Sequence, residues 1–336
     1  MTIKFNNVYI GDSITVVGPY EGSGPLSKYF DKKYKDLSFG CSTWEKAETK
    51  MIKTSINMLL RKIKNNYIDL LVSSDLSNQL IASNFASINY NVPYIGVYSA
   101  CASSIASILV ASSLIESNSI KNSIITSSSH NNSAEKQYRN PVEYGGPKKC
   151  YSTFTTTGCG ALYLTNKKSD IKIESITIGK TIDKGITDIS SMGAVMAPAA
   201  ADTIYKHLKD TKRDISYYDL ILTGDLGYVG RDILKKYMKR VYRIDLINYN
   251  DCGCMIFDND SKYYQGGSGV ACLPLVAYSY IFKMLKEKKL NKVLLVATGA
   301  LMNTTSCNEK LSIPSIAHAI SLEALWHIYI HFYFVV

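Results

Sequence analysis

No long run of one charge sign, no Pro/Ser-rich linker, no Arg-rich arm and no RNP-type motif interrupts these 336 residues. Disordered tails and dedicated nucleic-acid modules thereby lose their usual signatures. Charged residues make up only 20% and hydrophobic residues 46%, a composition that folds and can bury a sizeable core. The opening MTIKFNNVYIGD lacks the shape of a signal peptide and reads as a first strand. The expectation is therefore a reducing compartment in which the eight cysteines stay free. Cys252-x-Cys254 is half of a metal clip, but no second Cys or His pair follows at usable spacing, which argues against zinc and leaves no metal site.

What is present is a mild basic excess of 38 Lys and Arg over 28 Asp and Glu, a formal charge of +10. The basic residues are dispersed, and the densest group, Lys283, Lys286, Lys288 and Lys289, reads as a solvated helix end. Such a surface permits anionic small molecules or an acidic membrane face as partners.

Short apolar runs of strand length at 68–73, 93–98, 123–128, 171–179, 219–223 and 292–298 alternate with helical spacing at 102–118 and 269–286. The stretch 193–208, with Gly193 and Pro198, reads as a loop entering a helix. The order predicts an α/β fold with a mainly parallel sheet covered by helices. Two internal matches suggest duplication: YIDLLVSSDLS at 67–77 lies over YYDLILTGDLG at 217–227, and LVASSLI at 109–115 over LVAYSYI at 275–281. The halves join near 165–170.

Cys101 follows one strand and opens the next helix, among small residues: Tyr98-Ser99-Ala100-Cys101-Ala102-Ser103-Ser104. A thiol at a helix N-terminus feels the positive end of the dipole, so its pKa is expected to fall. Free N–H groups there also suit an anion. An inert buried cysteine is the alternative.

The turn YSACASS, the paired halves and the apolar strands resemble the thiolase and ketoacyl synthase superfamily. Longer strings are more specific: SSSHNNSAEKQYRNPVEYGG (127–146), TTTGCGALYLT (155–165), YDLILTGDLG (218–227), YQGGSGVAC (264–272) and IPSIAHAISLE (313–323) are similar to the stage V sporulation protein AD family, through nearly the whole chain to about Glu323. The resemblance implies a thiolase-like fold of two βαβ-rich halves, 1–168 and 169–323, in a layered αβαβα arrangement that forms a homodimer. It also implies a subunit that binds dipicolinic acid in a spore membrane transport assembly used in sporulation and germination. Calcium would enter only together with dipicolinate. The chain would sit in the forespore or spore, soluble, not secreted and peripheral to the inner membrane, beside other subunits of that assembly.

Condensing enzymes of this superfamily pair the Cys with a His and a second His or Asn. The resemblance puts the His after the 219–223 strand, where this chain has Thr223-Gly224-Asp225-Leu226-Gly227, and the Asn in the turn Gly266-Gly267-Ser268-Gly269. Neither residue type stands there. Losing oxyanion donors costs on the order of 3 kcal/mol or more. The expectation is a non-enzyme in which Cys101 is a vestigial nucleophile; an active acyl transferase using Cys101, or a purely structural subunit, are the alternatives. For the ligand, Cys101, Ala102 and their helix N–H groups would receive one carboxylate. Gly266, Gly267 and Ser268 would receive the other, and Asp225 would face a metal or a protonated group. His130 closes the strand after the Cys101 helix and is the imidazole expected to reach the pocket. His318 reads as a satisfied core histidine and His207 as a surface one. Arg139 is a further donor candidate, although Glu135 four residues earlier offers it an ordinary helical ion pair. The loop 140–146 reads as pocket rim or dimer interface.

The tail 324–336 departs from the family and is apolar and aromatic. Its 13 residues from Ala324 fall short of the roughly 20 that span a bilayer. It reads as an atypical extension or an interfacial segment.

Overall fold

The computed structural model describes all residues except 66, 139–147 and 326–336. Arg139, the 140–146 loop and nearly all of the apolar tail therefore lie outside the described residues.

Five strands form the main path of the sheet in the first half: β1 (Tyr9–Val17), β2 (Leu70–Ser74), β3 (Tyr94–Gly96), β4 (Asn122–Ser129) and β5 (Gly158–Thr165), with the short strands Thr2–Lys4 and Lys32–Lys33 pairing at its side. Five belong to the second: β6 (Ile171–Ile178), β7 (Leu220–Thr223), β8 (Tyr249–Asp251), β9 (Lys292–Ala300) and β10 (Ser315–Ala324). Their spatial order is β3-β2-β4-β5-β1, then β6-β10-β9-β7-β8. Reversed, the second series matches the first strand for strand. The pairing senses match too: β2 is parallel to β3 and β4, as β7 is to β8 and β9, and the remaining ladders among these ten strands are antiparallel. The sequence match of 67–77 with 217–227 thus falls on equivalent strands, β2 and β7. The halves meet where β1 pairs β6, at Tyr9 with Lys172 and Ile10 with Ile171.

The sheet is mixed and not mainly parallel. Along this path strands β5, β1, β6 and β10 pair antiparallel with their neighbours, and only the outer strands of each half pair parallel.

The helices are α1 (Trp44–Ile63), α2 (Ile81–Ser87), α3 (Ser103–Glu116), α4 (Asn131–Tyr138), α5 (Met192–Thr211) and α6 (Gly227–Tyr237). A continuous helical run, α7, comprises Cys272–Val276, Ala277–Ile281 and Phe282–Lys286. Helix α1 starts because the Thr43 hydroxyl caps the Lys46 N–H, and it buries Ala47, Met51, Ile52, Ile56 and Leu59 against β1 and β5. Full burial of each large aliphatic of that stripe is worth about 1.5–3 kcal/mol. Helix α3 touches β2 and β4 of one half and β9 and β10 of the other. Its Ser and Ala positions are small, and it is buried between two half-sheets. With α1 and α2 outside one half-sheet and α5 and α6 outside the other, the layers run α-β-α-β-α. Three apolar clusters fill the spaces between them.

Helix α5 begins at Met192, so the segment read as a loop is helical throughout. Gly193 is there for a close crossing: a Cβ on it would stand 2.9 Å from Gly230 Cα of α6. Gly and Pro punctuate a local pattern, but here packing against α6, β9 and β10 decides.

Candidate functional site

A cavity of about 220 Å³ opens beside Cys101. It lies where parallel strands end: Leu76 follows β2, Tyr98 and Cys101 follow β3, Asp225 follows β7 and Met302 follows β9. Chain segments diverge at such carboxyl edges, leaving a crevice. Met192 and Met196, one turn apart on α5, form an apolar wall. The opposite wall is a two-strand ribbon in which Phe154–Thr155 pairs parallel with Gly267–Ser268 and ties the halves together. Among the described residues lining the cavity there is no His, Asn, Lys or Arg.

Cys101 sits in a tight turn whose preceding residue, Ala100, is forced to φ 48°. The helix proper starts two residues later at Ser103. The turn uses its own amides: Ala102 N–H donates to Ser99 O at 3.1 Å and Ser103 N–H to Ala100 O at 3.1 Å. The Cys101 thiol faces the Asp225 carboxylate, and burial together with that negative neighbour pushes the thiol well above its ordinary pKa. The expected fall from the helix dipole is therefore overturned. Desolvation and a facing carboxylate outweigh a dipole whose nearest amides are already bonded.

Asp225 accepts from Thr298 Oγ1 at 2.6 Å and from Gly269 N–H at 3.0 Å. Burial still pushes it up to about 7, the hydrogen bonds opposing. The turn that carries it is held by Asp251 at the end of β8. Asp251 accepts from Thr223 Oγ1 at 2.6 Å, Leu226 N–H at 3.0 Å and Gly227 N–H at 2.9 Å. Burial raises Asp251 to about 6.

Of the residues expected to touch a ligand, Cys101, Asp225 and Ser268 line this cavity. Ala102 does not; it is buried behind the turn. Gly266 packs on backbone: at φ 99°, a Cβ there would be 2.4 Å from Gly253 O. Gly267 is wedged against Ile256, a Cβ reaching 2.5 Å from its Cγ2. The glycine-turn amides are also spent, Gly266 N–H on Tyr263 O and Gly269 N–H on Asp225. His130 lies on the outer side of the first half. Its ring stacks on Trp44, and its Nε2 bonds Leu37 O at 2.8 Å. It follows the last residue of β4, and the chain there turns it under α1, away from Cys101. His318 accepts from Gly179 N–H at Nδ1, which leaves Nε2 to donate to Ser99 Oγ at 3.4 Å, so it braces the Cys101 turn from behind. His207 is buried, not on the surface, between Thr177 Oγ1 at 2.7 Å and Tyr218 OH at 2.5 Å.

The model of the family described as stage V sporulation protein AD matches residues 1–323. Stage V sporulation protein AD of Bacillus subtilis (strain 168) is 42% identical over 318 residues, covering 94% of each chain. The chain belongs to the stage V sporulation protein AD family. Among solved structures, a variant of OleA from Xanthomonas campestris is 13% identical with a TM-score of 0.63, covering 96% of this chain and 98% of its own. The 3-oxoacyl-[acyl-carrier-protein] synthase III of Aquifex aeolicus VF5 is 14% identical with a TM-score of 0.57, covering 94% and 99%. The fold of this stage V sporulation protein AD family member is therefore thiolase-like.

Other wall residues of this family member escaped the sequence reading, notably Ser152, Thr153, Glu135 and Met302. The one usable signal was position just beyond a parallel strand's carboxyl end, which marks Met302 but not the ribbon. Among the described residues no group of three or more His, Cys, Asp or Glu is arranged to hold a metal ion.

Buried acids give this family member a defined pH response. Glu21 and Asp225 are raised to about 7 and Asp251 to about 6, all chiefly by burial. Glu48 is raised too, by burial and by neighbouring Asp75. A carboxyl raised in the fold contributes fully below its unfolded pKa and loses that contribution as pH climbs to the folded value. Burial lowers His207 and His318 to about 4, so they act oppositely, their contribution fading as pH falls from about 6.5. Above pH 6.5 the acids act alone. Stability is expected to drop by roughly 1–2 kcal/mol from pH 6.5 to 8. Thermal melts at low protein concentration check this; a Tm that holds or rises over that window contradicts it.

Proposed function

We propose that this chain is a non-catalytic binding subunit for dipicolinic acid, free or as its calcium complex, in a spore membrane transport assembly. One observation carries the reading: the Cys101 thiol is buried beside the Asp225 carboxylate, in a cavity whose described lining holds no imidazole or carboxamide. A thiol held protonated is a poor nucleophile. A cavity of about 220 Å³ with an apolar methionine wall and a hydroxyl-bearing wall suits a small flat ring with acidic substituents. Calcium would arrive with its ligand, Asp225 and Glu135 being the acids on the lining.

Asp225 gives the test its sign. Both ligand carboxylates stay ionised from pH 6 to 8.5, whereas Asp225 changes from mostly neutral to charged across about 7. Free dipicolinate is expected to bind on the order of tenfold more weakly at pH 8.5 than at pH 6, and Asp225→Asn to abolish the difference. Calorimetric titration with and without calcium reads both. Heat that persists with no covalent product supports binding; covalent acylation of Cys101 by an acyl thioester supports the second reading, an acyl transferase. That reading draws on Cys101 being kept at a strained turn on the cavity wall.

The subunit would work as a homodimer in the forespore, peripheral to the inner membrane. Ile81, Phe85 and Ile88 expose large apolar surface on and just past α2, near the edge strand β3, where Ile95 is also exposed. Among the described residues no helix is long and apolar enough to cross a membrane. Sedimentation at micromolar concentration should give the dimer mass; a monomer there refutes the pairing.

A further inference from the structure

Ser152 stands just ahead of the Phe154–Thr155 strand and lines the Cys101 cavity. Only 1% of it is exposed. Its backbone is committed, N–H to Lys149 O at 2.9 Å and carbonyl to Gln265 N–H at 2.9 Å. Its hydroxyl is buried and has no hydrogen-bond partner. Of the other buried serines in that condition, Ser104, Ser107 and Ser112 lie within α3, where a carbonyl one turn back is a rotation away, and Ser77, Ser83 and Ser175 do not line the cavity. Ser152 lies outside any helix and has no such recourse. A buried hydroxyl left unpaired is unfavourable, and at a cavity wall a ligand atom is the group that can relieve it.

The chemistry of that atom follows from the rest of the lining. Both acids on it already accept: Asp225 takes Thr298 Oγ1 and Gly269 N–H, and Glu135 takes Lys148 Nζ at 2.9 Å. The glycine-turn and Cys101-turn amides described above are spent. Neutral hydroxyls remain on the lining as donors, those of Ser152, Thr153, Thr155 and Ser268 on the ribbon side and that of Ser190. A ligand held by hydroxyls must present oxygen acceptors. The geometry points to Ser152 as the hydrogen-bond donor that reads a carboxylate oxygen of a small acid held in the Cys101 cavity. This assignment rests on the dipicolinate reading and names the residue that selects its carboxylate.

The full chain and its S152A variant should be titrated calorimetrically with dipicolinate, with and without calcium, and melted without ligand. S152A is expected to bind about tenfold more weakly, the share of one hydrogen bond to a charged acceptor, while its ligand-free Tm is unchanged or higher because an unpaired hydroxyl has gone. S152A binding within twofold of the parent chain overturns the assignment and leaves the dipicolinate reading standing. A Tm several degrees lower also overturns it, since the hydroxyl would then have a structural partner. Absence of heat from the parent chain with either form of the ligand overturns both.

Discussion

Treated with a small alkylating reagent at pH 7.5, Cys101 should react on the order of a hundredfold more slowly than the exposed Cys150 of the same chain. The thiolate is the reactive species, and each unit by which the pKa rises removes a factor of about ten from its population. Burial raises the Cys101 thiol first and the charge of Asp225 next. Restricted access also slows alkylation, so a second variant is needed to isolate the electrostatic part. Asp225→Asn keeps the shape and removes the charge; it should speed modification of Cys101 by about tenfold while leaving Cys150 unchanged. Quenched time courses read by peptide mass spectrometry give both rates. Equal rates for Cys101 and Cys150 in the parent chain would restore Cys101 as a live nucleophile. The non-catalytic reading would then lose its basis.

Replacing Asp251 by alanine should cost on the order of 3 kcal/mol of stability and, in the same step, dislodge Asp225. Three donors converge on that one carboxylate: the Thr223 hydroxyl and the Leu226 and Gly227 amides. All lie in the interior, and each buried donor left unpaired costs about 1–3 kcal/mol. Removing an acid that is itself destabilised by burial returns part of that loss, which is why the total stays well below the simple sum. Gly227, at φ 67° and with Gln265 O where a Cβ would lie, has no other conformation in which to place its amide. Asp251→Asn keeps one acceptor oxygen and should fall between the two. Urea unfolding measures the loss, and calorimetry with dipicolinate should show weakened binding beyond what stability explains. A loss under about 1 kcal/mol would mean that water or a shifted backbone satisfies these donors, and that Asp251 does not hold the site.

The repeat of Tyr, Asp, Leu, Asp and Leu between 67–77 and 217–227 was legible in the sequence, and with it two halves of like topology. A strand followed by an acid at its carboxyl end is a local pattern, written within about ten residues. The turn at Cys101 was legible for the same reason: small residues on both sides of the thiol mark a sharp strand-to-helix turn within a few positions. Those features, with the long family strings, determined the fold and three wall residues, Cys101, Asp225 and Ser268.

What the neighbours do to those residues was decided elsewhere. The thiol's high pKa comes from burial and from Asp225 in the other half, not from the helix it precedes. His207 looked like a surface residue on a polar stretch, yet Thr177 and Tyr218 close over it. His130 looked poised for the cavity, yet Trp44 and Leu37 hold it on the far side of the sheet. Ser152 had no sequence signal at all, because an unpaired hydroxyl is defined by what fails to surround it. Local pattern sets backbone geometry, since sterics act between neighbours in the chain. Protonation, exposure and unmet hydrogen bonds depend on groups far apart in sequence, and only packing brings those together.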